Sequence, residues 1–150
     1  MEQSWCRACH TDVALAHAVA DLPCPVCGSK DYFCVSDDGR RDSLLGQAER
    51  MMRLGRWGDA AALNQECYAL GLMTAADYNL SSTNLEWRRD CARAAREMVR
   101  SSDMNVSVSE LREWLEHEYD AHVVSWLLRE YRGLRIIIAD GKRVVEVADD

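Results

Sequence analysis

The sequence predicts an α+β protein that is mainly helical, with a small metal-binding module first and a β-hairpin last. Two Cys-x-x-Cys pairs lie within the first 27 of the 150 residues. From about residue 42, apolar residues recur at intervals of three and four, which is the helical period. Near the end, Asp140-Gly141 separates two β-branched runs, a pattern typical of a tight hairpin.

The two cysteine pairs are Cys6-Arg-Ala-Cys9 and Cys24-Pro-Val-Cys27, with fourteen residues between them. Each pair can present two thiolates from one tight turn, and two such turns complete a tetrahedral site with four sulfur ligands. Gly28 supports this interpretation, because the turn after the second cysteine often needs a residue with φ > 0. The spacing therefore predicts a metal site.

Over residues 5–35 this pattern resembles the metal knuckles of zinc ribbons and rubredoxin-like proteins, through Cys6-x-x-Cys9 and Cys24-Pro-Val-Cys27-Gly28. The resemblance implies a zinc-ribbon-like module over residues 1–36, with the four cysteines as ligands. Zinc and iron both accept four thiolates in a tetrahedron, so iron is an alternative. Rubredoxin-like knuckles usually carry Gly where this chain has His10, which favours zinc.

The remaining cysteines and two nearby histidines are expected to stay outside the site. Cys34, Cys67 and Cys91 do not belong to a pair and are interpreted as small buried apolar residues. His10 and His17 could act as alternative ligands, but four thiolates already complete the tetrahedron.

The rest of the first module is less specific. Residues 11–21 fit either a helix, through their alanine content, or a ribbon strand, through their alternation. Residues 31–35 predict a short strand, and residues 36–41 predict a polar linker that ends the module.

Composition and charge limit the function classes. The apolar fraction of 48% predicts a folded chain, and neither a signal pattern nor a membrane-spanning apolar run of about 18 residues is present. Seven cysteines, four of them in metal-type pairs, favour a reducing cytoplasmic location without membrane contact. The net charge is −7, and residues 103–150, with six basic and eleven acidic side chains, carry −5 of it. Any nucleic-acid contact must therefore use a local basic face.

A helical connector is expected over residues 42–80. Asp42 or Ser43 can cap a first helix, and Asp59 can cap a second one after a glycine-containing turn.

A further helix from about Asn84 to Ser101 has two unlike faces. One face, predicted to be core, carries Trp87, Cys91, Ala94 and Met98. The opposite stripe carries Arg89, Arg93, Arg96 and Arg100. This stripe is either a solvated helix face or a docking surface for phosphates or an acidic partner.

The last third has the clearest local signals. Ser107-Val-Ser-Glu110 has the spacing of a capping box, and Asp120 can cap the next helix. A two-residue hairpin loop at Asp140-Gly141 pairs Arg135 with Glu146.

The order of helix, short strand, two helices and hairpin over residues 84–150 resembles a winged helix-turn-helix. The resemblance implies that residues 120–132 form the recognition helix and that the hairpin tip forms the wing. The exposed side of that helix is expected to carry His122, Ser125, Trp126 and Arg129, and the wing adds Lys142 and Arg143.

Three function classes follow. The first is a zinc-binding adaptor or regulator associated with transcription or nucleic acid. The second is a protein-interaction scaffold with structural zinc, and the third is a rubredoxin-like iron electron carrier. We expect no enzyme, because the sequence contains no recognisable catalytic triad, phosphate-binding glycine loop or metal-hydrolase motif.

Overall fold

The structure is a computed structural model that describes residues 4–33 and 37–148. Over these residues the fold is mixed α+β and mainly helical. The elements in chain order are β1 (Trp5–Cys6), α1 (Leu15–Val19), β2 (Tyr32–Phe33), α2 (Asp38–Arg53), α3 (Trp57–Ala69), α4 (Ala75–Ser101), β3 (Val106–Ser107), α5 (Val108–Glu116), α6 (Ala121–Glu130), β4 (Leu134–Ala139) and β5 (Lys142–Val147). Every helix in this part of the chain is too short or too polar to cross a lipid bilayer.

The chain divides into two compact units. The first unit combines residues 1–48 with residues 61–82, and the second combines residues 49–60 with residues 83–150. The three modules expected from the sequence, residues 1–36, 42–80 and 84–150, stay a prediction.

The first unit contains a two-stranded sheet with an apolar cluster beside it. β1 and β2 pair antiparallel, with Trp5 opposite Phe33. Their rings stack at a centroid distance of 3.7 Å, and both side chains are buried. The cluster also includes the buried residues Cys67, Leu72 and Met73. The N-terminal segment is therefore packed against the helices of its own unit.

In the first unit one ambiguous segment is resolved, and two boundaries differ from the sequence-based expectation. Residues 15–19 are helical, which resolves the ambiguous segment. The strand expected over residues 31–35 spans Tyr32–Phe33, and its last two residues lie outside the described chain. The prediction of a polar linker over residues 36–41 is wrong for the residues that the structure describes, because α2 already begins at Asp38. Asp38 lies in the first turn and pairs with Arg41 at 3.1 Å, so helix dipole and ion pair both favour this earlier start.

Two further helix starts also differ. Asp59 is not a cap, because α3 begins at Trp57, and Asp59 instead pairs with Arg56 at 2.6 Å in the first turn. α4 begins at Ala75, well before Asn84. The hydroxyl of Thr74 accepts a hydrogen bond from the Asp77 backbone N–H at 3.2 Å, and this cap starts the helix.

The second unit packs helices against a three-stranded sheet of order β3-β5-β4. β4 and β5 pair in the register expected from the sequence, with Arg135 opposite Glu146. Asp140 and Gly141 both have positive φ, at 51° and 75°, as the predicted two-residue turn requires. This unit has a core of its own, and its largest fully buried side chains include Leu111, Leu115 and Leu127.

The predicted caps of α5 and α6 are confirmed. Ser107 Oγ accepts a hydrogen bond from the Glu110 backbone N–H and donates one to the Glu110 carboxylate, each at 3.1 Å. Asp120 Oδ1 accepts from the backbone N–H of His122 at 2.8 Å. Both helix starts are therefore fixed by interactions within four residues.

The buried face of α4 was only partly predicted. Cys91 is fully buried, but Trp87 is 53% exposed, so its assignment to the core was wrong. The buried stripe of this helix runs through Leu85, Ala92 and Ala95. At about 100° per residue, Trp87 lies roughly a third of a turn from the centre of that stripe.

Candidate metal centre

The first cysteine pair forms a tight knuckle. The backbone N–H of His10 donates to the carbonyl oxygen of Cys6 at 2.8 Å, and the N–H of Cys6 donates to the Thr11 carbonyl at 2.9 Å. His10 adopts φ 62°, a left-handed conformation that is uncommon for a residue with a Cβ atom. These contacts turn both thiols of the pair to one side of the loop.

The second pair repeats this geometry. The N–H of Gly28 donates to the Cys24 carbonyl at 2.9 Å, and the N–H of Cys24 donates to the Ser29 carbonyl at 2.8 Å. Gly28 has φ 78°, a conformation that glycine adopts without steric cost. The two knuckles therefore have the same backbone hydrogen bonds, although their sequences agree at few positions besides the cysteines.

The four thiols of the two pairs converge. The Sγ atoms of Cys6, Cys9, Cys24 and Cys27 all lie within 4.8 Å of one another. Two of the distances across the pairs are 3.4 Å, between Cys6 and Cys27, and 3.6 Å, between Cys9 and Cys24. Metal–sulfur bonds of about 2.3 Å place the sulfurs of a tetrahedral site about 3.8 Å apart. The cluster therefore has the donor set and size to hold a metal ion.

Hydrogen bonds distribute thiolate character unevenly within this cluster. The Thr11 hydroxyl lies 3.1 Å from Cys9 Sγ. Its hydrogen bond, with that of the Thr11 backbone, lowers the pKa of Cys9 to about 6. Backbone N–H groups of Cys27 and Val26 lower the pKa of Cys24.

At Cys27, the backbone N–H of Ser29 favours the thiolate, yet the neighbouring Cys6 thiol and desolvation raise the pKa to about 12. Four thiolates this close together would repel one another, and a cation held among them would stabilise them as a set.

Packing around the cluster fixes both loops. Cys6 and Cys24 are buried together with Ala18 and Tyr32. The Tyr32 hydroxyl donates a hydrogen bond to the Leu22 carbonyl, just before the second pair. β1 carries Cys6 directly into this small core, so the sheet positions the first of the four thiols.

Neither candidate histidine joins the sulfur cluster. His17 Nε2 is hydrogen-bonded at 2.8 Å to the carbonyl of Pro23, and the ring of His10 stacks on Tyr68 at 6.4 Å.

The remaining cysteines differ in environment from the cluster. Cys67 and Cys91 are fully buried in the apolar clusters of the first and second unit, respectively. Burial raises the pKa of Cys67, and it raises the pKa of Cys91 to about 12, so both thiols stay protonated. Cys34 lies outside the described residues.

The predicted arginine stripe on α4 is divided among different environments. Arg93 and Arg100 are exposed. Arg89 pairs with Asp90 at 3.4 Å. Arg96 is half-buried and donates a hydrogen bond to the carbonyl oxygen of Gly133 at 2.8 Å. The stripe is therefore not one continuous solvent-facing row.

The predicted partner surface on α6 is partly wrong. His122 and Arg129 are exposed, and so are Lys142 and Arg143 at the hairpin tip. Trp126, however, is only 4% exposed and belongs to the core.

The buried indole ring of Trp126 has polar partners on other helices of its unit. Its indole Nε1–H donates to Glu49 Oε1 at 2.8 Å, and the Arg88 guanidinium lies 4.3 Å from its ring centre. Both partners lie far away in sequence, so helical periodicity within α6 could not have indicated them.

Thr11 and Ser29 are the site-supporting residues that sequence reasoning missed. Each follows its second cysteine by two positions and accepts, through its backbone carbonyl, the N–H of the first cysteine. The repeated order of Cys-x-x-Cys, one residue, then a hydroxyl residue was a signal available in the sequence.

No protein-family model, curated protein or solved structure matches this chain. Its function is therefore inferred from its own geometry and chemistry.

Proposed function

We propose that the protein is a non-catalytic zinc-binding adaptor in which the ion joins the two knuckles of a zinc-ribbon-like N-terminal module. The observation that carries this proposal is the convergence of four cysteine Sγ atoms within 4.8 Å. Four protein thiolates fill a tetrahedral Zn²⁺ site and leave no position for water or substrate, which is the arrangement of structural rather than catalytic zinc. A reducing, cytoplasmic location is part of the proposal, because it keeps the thiols available for the metal.

Elemental analysis together with visible absorption of the purified protein tests the metal. We expect about one zinc per chain and no visible absorption, since Zn²⁺ has a filled d shell. Iron with visible absorption would contradict the zinc assignment and would favour the rubredoxin-like electron carrier, because both metals accept this donor set.

We further propose that the second unit is winged-helix-like. The order α4, β3, α5, α6, β4, β5 and the strand order β3-β5-β4 support this. α6 would then be the recognition helix, and the exposed turn at Asp140-Gly141 would be the tip of the wing.

The proposed partner is a nucleic-acid or transcription-associated assembly. Exposed basic residues on α4, on α6 and at the wing tip support this, namely Arg93, Arg100, Arg129, Lys142 and Arg143. Arg129 also pairs with Glu130 at 3.3 Å, which lowers its value as a phosphate contact.

A protein-interaction scaffold with structural zinc is the second candidate. The exposed face of α5 favours it, because Glu110, Glu113 and Glu116 are solvent-accessible there and Trp114 is 40% exposed. Exposed carboxylates repel phosphates, whereas a partly exposed tryptophan beside them suits a protein surface.

Binding to duplex nucleic acid at two salt concentrations separates the candidates. If the wing touches phosphates, the Lys142→Gln/Arg143→Gln double variant should lower the slope of log affinity against log salt by about 0.9 per lost contact. The matched control is Arg112→Gln on α5, which pairs with Glu116 at 3.8 Å. Equal slopes for the protein, the double variant and the control would favour the scaffold.

A further inference from the structure

The second unit contains a cavity that the proposed function does not use. It lies at the end of α2, the start of α3 and the end of α6, and its volume is ≈ 280 Å³. Its walls include Trp57 and Tyr131 on the aromatic side and Arg96 and Arg132 on the cationic side.

The hydroxyl of Tyr131 is an unpartnered polar group in the wall of this cavity. Tyr131 is 8% exposed, and its ring stacks on Trp57 at 5.9 Å. Within residues 4–33 and 37–148 its hydroxyl makes no hydrogen bond. A Cβ atom added at Gly133 would lie 2.2 Å from Tyr131 Oη, so a glycine at this position is what lets the hydroxyl occupy the wall. This hydroxyl therefore keeps a donor that a ligand in the cavity could engage.

Two arginines that line the cavity also have guanidinium N–H donors without a partner among the described residues. Arg96 commits one N–H to the Gly133 carbonyl at 2.8 Å and keeps its other donors. The backbone N–H of Arg132 donates to the carbonyl of Arg53 at 2.8 Å, which fixes its position, while its side chain is exposed.

Two carboxylates close in sequence to these elements are already paired with other arginines. Glu130 pairs with Arg53 at 3.4 Å, and Asp59 pairs with Arg56 at 2.6 Å. In the described part of the chain, neither Arg96 nor Arg132 has a carboxylate within ion-pair distance. Among the described residues, the cavity therefore carries two positive charges without a carboxylate partner.

We propose that this cavity binds the phosphate group of a small phosphorylated molecule. Two guanidinium groups and one hydroxyl supply the donors, and a phosphate monoester offers three strong acceptor oxygens to match them. A carboxylate offers two oxygens in one plane and a single negative charge, whereas a phosphate monoester carries nearly two charges to match the two guanidinium groups. A volume of ≈ 280 Å³ accepts a phosphate with a few attached atoms but not a nucleic-acid strand.

The test is an NMR titration of the full chain, with inorganic phosphate, glycerol phosphate and acetate as separate probes. Both phosphates should shift the backbone amides of residues 54–57 and 131–133 in a saturable manner, and acetate should not. Arg132→Gln should weaken phosphate binding on the order of tenfold, because it removes charge-assisted hydrogen bonds. Tyr131→Phe should weaken phosphate binding several-fold, because it removes one neutral hydrogen bond.

Arg93→Gln is the matched control, since Arg93 lies on the same helix as Arg96 but is exposed and not part of the cavity. Arg96→Gln also removes the contact to Gly133, so Arg132→Gln and Tyr131→Phe carry the test if that variant unfolds. Tighter binding of glycerol phosphate than of inorganic phosphate would identify a phosphate ester as the ligand, and the reverse order would identify free phosphate. Absence of saturable shifts, or equal weakening by Arg93→Gln, would overturn the proposal.

Discussion

His10 and Gly28 occupy equivalent positions in the two cysteine knuckles. Each follows the second cysteine of its pair, each has positive φ, at 62° and 78°, and each donates its backbone N–H to the carbonyl of the first cysteine. One of the two knuckles therefore holds a strained residue at the position where the other has glycine. This equivalence makes the contribution of the knuckle backbone measurable.

Gly28→Ala is expected to weaken metal binding on the order of tenfold, because a left-handed alanine costs about 1–2 kcal/mol. Open space surrounds the position, so any loss comes from backbone strain and not from a clash. His10→Gly should have the opposite effect. Competition with a chelator measures both affinities.

Gly39→Ala is the control for these changes, because Gly39 lies in α2 with open space around it. The metal affinity of the Gly39→Ala variant should match that of the unaltered protein. Equal affinities for Gly28→Ala and Gly39→Ala would contradict the equivalence of the knuckles.

Removal of the metal with a chelator should unfold the knuckle region and leave the second unit folded. The apolar cluster around the thiols is small, with Ala18, Tyr32 and Val13 as its members other than cysteines, so metal binding and local folding should be one process. The second unit has its own core, centred on residues such as Leu111, Leu115 and Leu127. Amide hydrogen exchange should lose protection over residues 4–33 and keep it in α5, α6, β4 and β5.

Simultaneous loss of protection in both units would contradict this expectation. It would show that the folding of the second unit depends on the metal.

Glu49→Ala is expected to destabilise the second unit by about 2–3 kcal/mol. The Glu49 carboxylate accepts hydrogen bonds from Trp126 Nε1 at 2.8 Å and from Arg88 at 2.7 Å. Its removal leaves an indole N–H and a guanidinium, whose side chain is only 16% exposed, without this partner. Urea unfolding followed by tryptophan fluorescence measures the change.

Glu97→Ala is the comparison, because Glu97 is exposed on α4 and should change the free energy of unfolding by less than about 0.5 kcal/mol. A Glu49→Ala variant as stable as Glu97→Ala would show that the network contributes nothing.

The features that sequence predicted well are fixed by contacts between near neighbours. Ser107 with Glu110 and Asp120 with His122 act within four residues, and the hairpin register follows from two adjacent residues with positive φ. The cysteine pairs belong to the same kind, because each knuckle is closed by its own backbone hydrogen bonds.

The features that sequence missed depend on distant residues. Trp126 was expected on a surface, but its burial rests on Glu49, 77 positions earlier. Arg96 was expected in a solvent-facing stripe, but its hydrogen bond goes to Gly133, 37 positions later. Helical periodicity reports which residues share a face, and it does not report what the rest of the fold places against that face. The start of α4 is different, because the Thr74-x-x-Asp77 spacing was a local signal.

The metal content of two cysteine variants tests the central claim most directly. Cys9→Ser removes a half-exposed thiol of the cluster, whereas Cys67→Ala removes a buried thiol outside it and introduces no buried hydroxyl. We expect Cys9→Ser to lose the zinc and Cys67→Ala to retain about one equivalent, as four thiolate ligands require. Retention of zinc by Cys9→Ser together with its loss from Cys67→Ala would contradict the account.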